Sequence, residues 1–415
     1  MATLSSPSAP DLQSERDLPR ITGVELYPMS SPLKLTIHMR EETLTSIDSV
    51  LIKLHTDMGI TGIADIGNVS PSYHGETQES IMAMISQTFF PYILKGESAT
   101  NIEKIVAKMD FMCRDNFQAK TLVDCALHDI KGKLYGVPVY EILGGKSADR
   151  IQLGWVMSAE PPEPSVRQAQ RALDEGFTAL KLKMGQGSLK TDLATIKAVR
   201  EHVGPDIKLW VDVNGAWNYQ EALDSIRAVD KYDLWFIEQP LPYWDIDGHA
   251  RLRGKVGTPI YADESARDLA DIQEIIRKDA ADGLMIKVPK AGGLLKSQQW
   301  ISVAQSAGLS VMCGCMAGCG FEAAAYAHLL CSNEWASRFI HENLGPLHIH
   351  DVFNTVKNEI TDDIAVQVPR YEGGYLYPTE GPGIGMELNP NAIPGMVTTG
   401  KLSVSAGEIS GQDSA

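Results

Sequence analysis

The sequence predicts an α/β protein, a (β/α)8-type barrel (a modified TIM barrel) with a smaller α+β domain in front of it. Two observations carry that expectation. After Gly145 the chain repeats a strand, a polar turn and an amphipathic helix, and parallel strands buried on both faces read as near-continuous apolar runs. Before Gly145 strand candidates come first and helices follow, the mark of a separate α+β unit. A doubly wound open sheet is the alternative, but no Gly-x-Gly-x-x-Gly follows the first strand.

Residues 1–20, "MATLSSPSAPDLQSERDLPR", are rich in Ser, Pro and charge. They lack the apolar centre of a secretory signal and the Arg-rich, acid-poor character of a transit peptide, so a disordered tail on a cytoplasmic protein is expected. From Ile21 the runs "VELYPMSSPLKLTIHM" and "SVLIKLHTDMGITGIADIG", the second broken by the turn "TDMGITG", predict three antiparallel strands. Helical spacing follows in "ETQESIMAMISQTFFPYIL" and "TNIEKIVAKMDFM". Then "KTLVDCALHDIKGKLYGVPVYEILGG" reads as a long helix, a Pro-containing break and a short helix, closing the first domain at residues 21–145.

The barrel is expected over 146–365. Its strand candidates are "IQLGWV", "ALKLKM", "KLWVDVN", "LWFIEQP", "PIYADE", "GLMIKV", "LSVMCG" and "SRFIHE", with helices such as "PSVRQAQRALDEG", "LKTDLATIKAVREHV" and "ARDLADIQEIIRKDA" between them. A C-terminal segment, 366–405, and a tail, 406–415, remain.

A chain of 415 residues, 44% hydrophobic and 22% charged, suits one large domain and one small one. Its formal charge of -16 argues against nucleic acid or an anionic membrane surface as a partner. No apolar stretch is long enough to span a bilayer. Six cysteines stand in apolar surroundings and read as reduced, buried thiols. Cys313, Cys315 and Cys319 of "MCGCMAGCG" are close enough to suggest zinc, but paired Cys-x2-Cys knuckles are missing, and a Gly-rich strand end explains the cluster as well.

Three successive strands end in a carboxylate: Asp212 in "WVDVN", Glu238 in "FIEQP" and Asp263 in "YADES". The separations of 26 and 25 residues are each one strand–helix unit, so the acids converge at the C-terminal mouth, where barrel enzymes keep their chemistry. Three hard oxygen ligands, with positions left for water and substrate, suit Mg2+ rather than zinc. Lysines flank the acids on both sides. Lys181 and Lys183 of "ALKLKMG" share one face of the preceding strand, and Lys287 of "MIKVPKAGG" ends the following one. An ammonium alone in an apolar interior is costly. Beside acids and a divalent ion it is tolerated, and nearby positive charge lets a lysine shed its proton near pH 7 and act as a base. A structural ion pair explains any one of these residues, whereas six in phase with the repeat point to a site.

With these motifs in order, and with "ALHDIKGKLYGVPVYEILGG" before them, residues 21–390 resemble the enolase superfamily, in its muconate lactonizing enzyme subgroup (the mandelate racemase/muconate lactonizing enzyme family). The resemblance implies that the first domain caps the barrel and that the C-terminal segment, with "PTEGPGIGMELNP", packs back on that cap. It makes Asp212, Glu238 and Asp263 ligands of Mg2+, with Mn2+ a possible substitute. Lys183 becomes the base on one face of the substrate, tuned by Lys181, and Lys287 the acid or base on the other. Asn214 and Glu264 would orient substrate and lysine. Glu342 of "IHENLGP" would face the substrate, and Tyr73 and His74 of "GNVSPSYHGETQES" would belong to a lid. A homo-oligomer acting on a small-molecule carboxylate is implied as well.

The mandelate racemase subgroup would need a His-Asp pair where Lys287 stands. The Asp-x-Asp of dipeptide epimerases is missing after the eighth strand, which disfavours a dipeptide substrate. Ala64-Asp65 stands where many relatives have Gly-Glu. The expected reaction is removal of the proton α to a carboxylate, with the enediolate stabilised by the metal. Isomerase chemistry (racemase, epimerase or cycloisomerase) ranks first. A dehydratase acting on an acid-sugar or hydroxyproline type of substrate ranks second. A catalytically silent barrel serving binding or assembly has no physical reason to keep the acids in phase.

Overall fold

The computed structural model describes residues 18–38, 43–71, 75–185, 188–350, 363–398 and 401–406. Strands β1 (Ile21–His38), β2 (Thr43–Thr56) and β3 (Thr61–Ile66) form the expected antiparallel meander. Strand Leu402–Ser405 of the C-terminal segment adds antiparallel to the other edge of β1. Val24, Leu26, Val50, Ile52 and Leu54 are fully buried in one core with residues of α1 (Gln78–Ala83), α2 (Ile102–Met112) and α3 (Phe117–Tyr135). The sequence reads as plain helix beyond α1, but Met84–Leu94 winds as a π-helix with Pro91 inside it. Proline has no N–H for a regular turn and crowds the carbonyl four residues back, which the wider winding accommodates.

Helix α3 is the part of this domain that reaches everything else. It ends at Gly136, whose φ of 68° serves as a left-handed cap, and α4 (Val139–Ile142) follows Pro138. Its buried Asp129 accepts the N–H groups of Ile63 and Ile384, both at 2.8 Å, and pairs with Lys133. One carboxylate thereby ties β3, α3 and the "GPGIG" segment together. Asp124 accepts the N–H of Leu294 at 2.5 Å, and Thr121 Oγ1 donates to the Val288 carbonyl at 3.1 Å.

Seven parallel strands form the second sheet: β5 (Trp155–Met157), β6 (Ala179–Lys183), β7 (Lys208–Asp212), β8 (Ile237–Glu238), β9 (Ile260–Ala262), β10 (Gly283–Ile286) and β11 (Ser310–Cys313), in sequential order. Helices return the chain between them: α5 (Pro162–Asp174), α6 (Leu189–Val203), α7 (Tyr219–Val229), α8 (Ile246–Arg253) and α9 (Leu269–Lys278). Several carry their start signal in the sequence. Asn218 and Glu221 form a capping box on α7, and Ser188 and Asp268 cap α6 and α9. After β10 come a short α10 (Val288–Ala291) and then α11 (Leu294–Ser306), and α12 (Gly320–Cys331) follows β11.

The candidate strand "IQLGWV" is two strands, not one. β4 (Ile151–Leu153) leaves the parallel sheet and pairs with β12 (Ile340–His341) and with β14 (Tyr375–Leu376), the second arm of a hairpin begun by β13 (Tyr371–Glu372). The break falls at Gly154, where a Cβ would lie 2.4 Å from the Trp210 ring. Both edges of the seven-stranded sheet meet the segment around β12: Gly154 N donates to the His341 carbonyl and Glu342 N to the Cys313 carbonyl, each at 2.8 Å. Among the described residues no helix is long and apolar enough to cross a membrane.

The anchoring role of Asp129 is testable. Asp129→Ala leaves the N–H groups of Ile63 and Ile384 without this acceptor and the Lys133 ammonium with the Thr61 carbonyl, which costs about 2–3 kcal/mol. Urea denaturation should show a loss of that size, with early proteolysis near residues 379–385; unchanged stability would refute the assignment.

Candidate active site

Side chains two residues apart on a strand share a face, and this rule builds the site in layers. The lower layer is apolar and takes one residue from each successive strand or from just before it: Ala179, Trp210, Phe236, Tyr261, Met285, Met312 and Ile340. Phe236 stacks on Tyr261 at 3.9 Å between ring centres and on Trp210 at 5.5 Å. Two residues beyond these, toward the C-terminal strand ends, stand Lys181, Asp212, Glu238, Asp263, Lys287, Gly314 and Glu342. Gly314 contributes no side chain to this upper layer. A Cβ there would lie 2.9 Å from Lys287 Cε, so its absence leaves the lysine room.

The charged groups contact one another directly. Lys181 Nζ reaches Asp212 Oδ2 and Glu238 Oε1 at 2.9 Å and Glu342 Oε1 at 3.0 Å. Lys183 Nζ donates to Asp212 Oδ2 at 2.6 Å and to Asn214 Oδ1 at 2.9 Å. Asn214 in turn donates through Nδ2 to Glu264 Oε1 at 2.8 Å. Lys287 Nζ donates to Asp263 Oδ2 at 2.7 Å. The register explains the row: Lys183 pairs with Asp212 and Asp212 with Glu238 across adjacent strands.

Burial opposes ionisation of every group, and the neighbours decide the outcome. Asp212 and Asp263 are held below the usual carboxylate range because Lys181 and Lys183, and Lys287 and Lys290, outweigh burial. Glu238 is pushed well above it by burial and by Asp212. Burial, with Asp263 and Asp212, pushes Glu264 up to about 7. Lys181 and Lys287 are held above the ordinary lysine range, because adjacent carboxylates overcome burial. This differs from the expected neutral lysine: in this arrangement the acids, not a positive ion, are the lysines' nearest neighbours. Among the described residues no group of three or more His, Cys, Asp or Glu side chains is arranged to hold a metal ion. The carboxylate oxygens turn to the ammonium groups instead.

A cavity of ≈ 1130 Å³ lies over these strand ends. Lys181, Lys183, Asn214, Glu264, Lys287 and Glu342 line it from the sheet side, and Ile37, Leu44, Ile47, Glu76 and Phe117 from the N-terminal domain. Tyr73 and His74 lie outside the described residues; Asn68 and Gly75, on either side of them, line the cavity.

Several residues had no reading in the sequence. Lys290, three residues after Lys287, is buried with its Nζ on Asp263 Oδ1; the second Lys of "KVPK" was the available signal. Gln239 is fully buried, accepts the N–H groups of Asp263 and Ser265 and donates to the Leu241 carbonyl, so it fixes the ends of β8 and β9. Asp65 points away from substrate chemistry. It accepts the N–H groups of Cys319 and Glu322 at 2.7 Å, and Glu322 answers by accepting the N–H of Gly67 at 2.8 Å. The "MCGCMAGCG" loop is thus where the N-terminal domain clasps the parallel sheet. Its thiols Cys313, Cys315 and Cys319 are free, and burial pushes each of them up.

A parallel sheet in an α/β framework, with acids and lysines gathered at its C-terminal edge, is the arrangement of an enzyme site. Residues 165–392 match the "Enolase C-terminal domain-like" family, and 21–144 match "Mandelate racemase / muconate lactonizing enzyme, N-terminal domain". The chain therefore belongs to the mandelate racemase/muconate lactonizing enzyme family of the enolase superfamily. It is similar to the crystal structure of a mandelate racemase/muconate lactonizing family protein from Azoarcus sp. EbN1, with 55% identity, a TM-score of 0.88, and 93% of this chain and 100% of that one covered. An N-succinyl-L-Arg/Lys racemase of Bacillus cereus is 30% identical over 90% of this chain and 97% of its own length. A chloromuconate cycloisomerase of Cupriavidus pinatubonensis is 30% identical over 83% of this chain and 90% of its own. With racemases and cycloisomerases among its relatives, this chain is an isomerase-type enzyme of the superfamily.

The charge arrangement makes a prediction about stability. Lys181→Met would leave Asp212, Glu238 and Glu342 facing one another without their shared cation, at a cost of about 3–5 kcal/mol. Thermal unfolding should move down accordingly, and Lys181→Arg should recover part of the loss; a neutral effect of the Met variant would contradict the described pairing.

Proposed function

We propose that this enzyme removes the proton α to the carboxylate of a small substrate in a Mg2+-dependent reaction and returns it as an isomerase, either a racemase/epimerase or a cycloisomerase. The carrying observation is that Lys183 and Lys287 line one cavity from opposite ends of the row Asp212, Glu238, Asp263. In this reading the seven-stranded sheet closes through β12 into a (β/α)8-type barrel, and residues 21–145, with the 366–405 segment, form its cap.

The donor set suits a hard divalent cation. Asp212, Glu238 and Asp263 supply buried oxygens at adjacent strand ends. The acids Asp212, Glu238, Asp263, Glu264 and Glu342 outnumber Lys181, Lys183, Lys287 and Lys290 at the site, and burial together with this crowding raises Glu238 and Glu264. Asp212, Glu238 and Asp263 would hold Mg2+ or Mn2+, which when bound supplies positive charge where the substrate carboxylate becomes more anionic. This chain's own groups do the rest. Lys183 takes the α-proton from one face, with its Nζ aimed by Asn214 Oδ1. Lys287 delivers a proton to the opposite face. Lys181 and Glu342 hold the charge balance beneath the substrate.

Two measurements test this. Exhaustive EDTA treatment should abolish α-proton exchange with solvent, and Mg2+ or Mn2+ should restore it; full exchange in EDTA would remove the metal from the mechanism. In D2O, Lys287→Ala should still exchange the α-proton of the enantiomer presented to Lys183 without forming its mirror image, and Lys183→Ala should show the reverse. Each loss should be at least about 100-fold, the lower end of what a positioned acid or base contributes. Equal loss for both enantiomers in either variant would refute the opposite-face assignment, and a product without an α-hydrogen would make the enzyme a dehydratase.

A further inference from the structure

Asp263 is gripped from two sides. Lys287 Nζ donates to Oδ2 at 2.7 Å, and Lys290 Nζ donates to Oδ1 at 2.6 Å. The two lysines differ in their surroundings. Lys290 also donates to the main-chain carbonyls of Asp263 at 2.6 Å and Met285 at 2.7 Å, so the three N–H groups of its ammonium have three acceptors. Its Nζ lies over the buried Trp300 ring, 5.9 Å from the centre. It therefore braces the end of β9 against β10 in one fixed geometry. Lys287 packs against Gly314 after β11 and lines the cavity.

We propose that Lys290 is a positioning residue that keeps Oδ1 of Asp263 engaged, so that a divalent cation and Lys287 compete for Oδ2 alone. The inference rests on the reading of Asp263 as a metal ligand. Its consequence is a coupling: loading the cation would draw Oδ2 of Asp263 away from Lys287, which lines the cavity. With Oδ1 unoccupied, cation and lysine could take one oxygen each, and the coupling would be lost.

A double-mutant cycle on Mn2+ affinity, read by titration calorimetry without substrate, tests this. In the parent background Lys287→Met removes the competitor and should tighten Mn2+ at least about fivefold; in the Lys290→Met background the same change should alter affinity less than about twofold, the difference being the coupling between residues that share a partner. A purely structural Lys290 would weaken the fold or the affinity but leave the Lys287 effect the same in both backgrounds, and that result would overturn the proposal. Lys290→Gln, which keeps N–H donors for the carbonyls without the charge, should give the same cycle and serves where the Met variant loosens the fold by circular dichroism. Failure of the underlying reading looks different: Asp263→Asn would then bind Mn2+ as tightly as the parent, and the proposal would fall with it.

Discussion

The constraint on which the rest depends is electrostatic: several carboxylates and ammonium groups share the mouth of a parallel sheet with almost no access to water. Moving such an ion from water into protein costs several kcal/mol even after relaxation. One oppositely charged partner at about 3 Å returns about 5 kcal/mol at an effective dielectric of 20. A single pairing therefore comes close to balance and leaves little margin. The side chains answer by multiple contact. Lys181 serves Asp212, Glu238 and Glu342 at once, and Asp263 is held by both Lys287 and Lys290. Where the cations fall short, the acids shift toward the neutral form, as Glu238 and Glu264 do.

Such a network has to sit on something that does not move. The layer beneath it, Trp210, Phe236 and Tyr261 stacked across three strands with Met285 and Met312 beside them, fixes the spacing of the residues two places further on. The layer above is less uniform, because the N-terminal domain must be docked without filling the cavity. The contacts that dock it are polar and run to main-chain groups: Asp124 to Leu294, Asp65 to Cys319 and Glu322, and Glu322 to Gly67. Glycines make the close approach possible at this seam. A Cβ on Gly67 would lie 2.3 Å from Gly318 N, and one on Gly345 2.2 Å from the Gly318 carbonyl. On the N-terminal domain's side the cavity wall includes Ile37, Leu44, Ile47, Glu76 and Phe117.

The legible part of the fold and site is the part that repeats. Asp212, Glu238 and Asp263 could be placed together because each strand–helix unit returns the chain to the same level, so equal spacing means adjacency. A local signal was equally readable: the Pro138 break after α3 lies within a few residues of what it determines. What was hidden depends on contacts far apart in sequence. The division of "IQLGWV" into β4 and β5 follows from the Trp210 ring pressing on Gly154, 56 residues earlier. Asp65, which in the sequence stands out only through Ala64-Asp65 replacing Gly-Glu, is a docking group, a role set by α12 more than 250 residues away. Lys290 belongs to the same class. Its spacing from Lys287 carries no strand rhythm, and only the short helix after β10 turns it back onto Asp263.

The two lysines proposed as acid and base sit in closely matched settings, which bears on the kind of reaction the site can run. The side chains of Lys183 and Lys287 are 10% and 9% exposed, and each is held by one end of the carboxylate row. An isomerase that works in both directions needs a proton carrier on each face, since microscopic reversibility makes each the acid in one direction and the base in the other. A dehydratase has no such need, because its second group meets a departing hydroxyl rather than a carbon. The asymmetry that does exist lies one contact further out. Asn214 and Glu264 stand behind Lys183, whereas Asp263 and Lys290 stand behind Lys287. Lys183 meets Asp212, which Lys181 also holds, and Lys287 meets Asp263, which Lys290 also holds. By different residues, the two ends of the row arrive at the same kind of pairing, an ammonium on a carboxylate that a second lysine also holds, and this places one proton carrier at each end of the row.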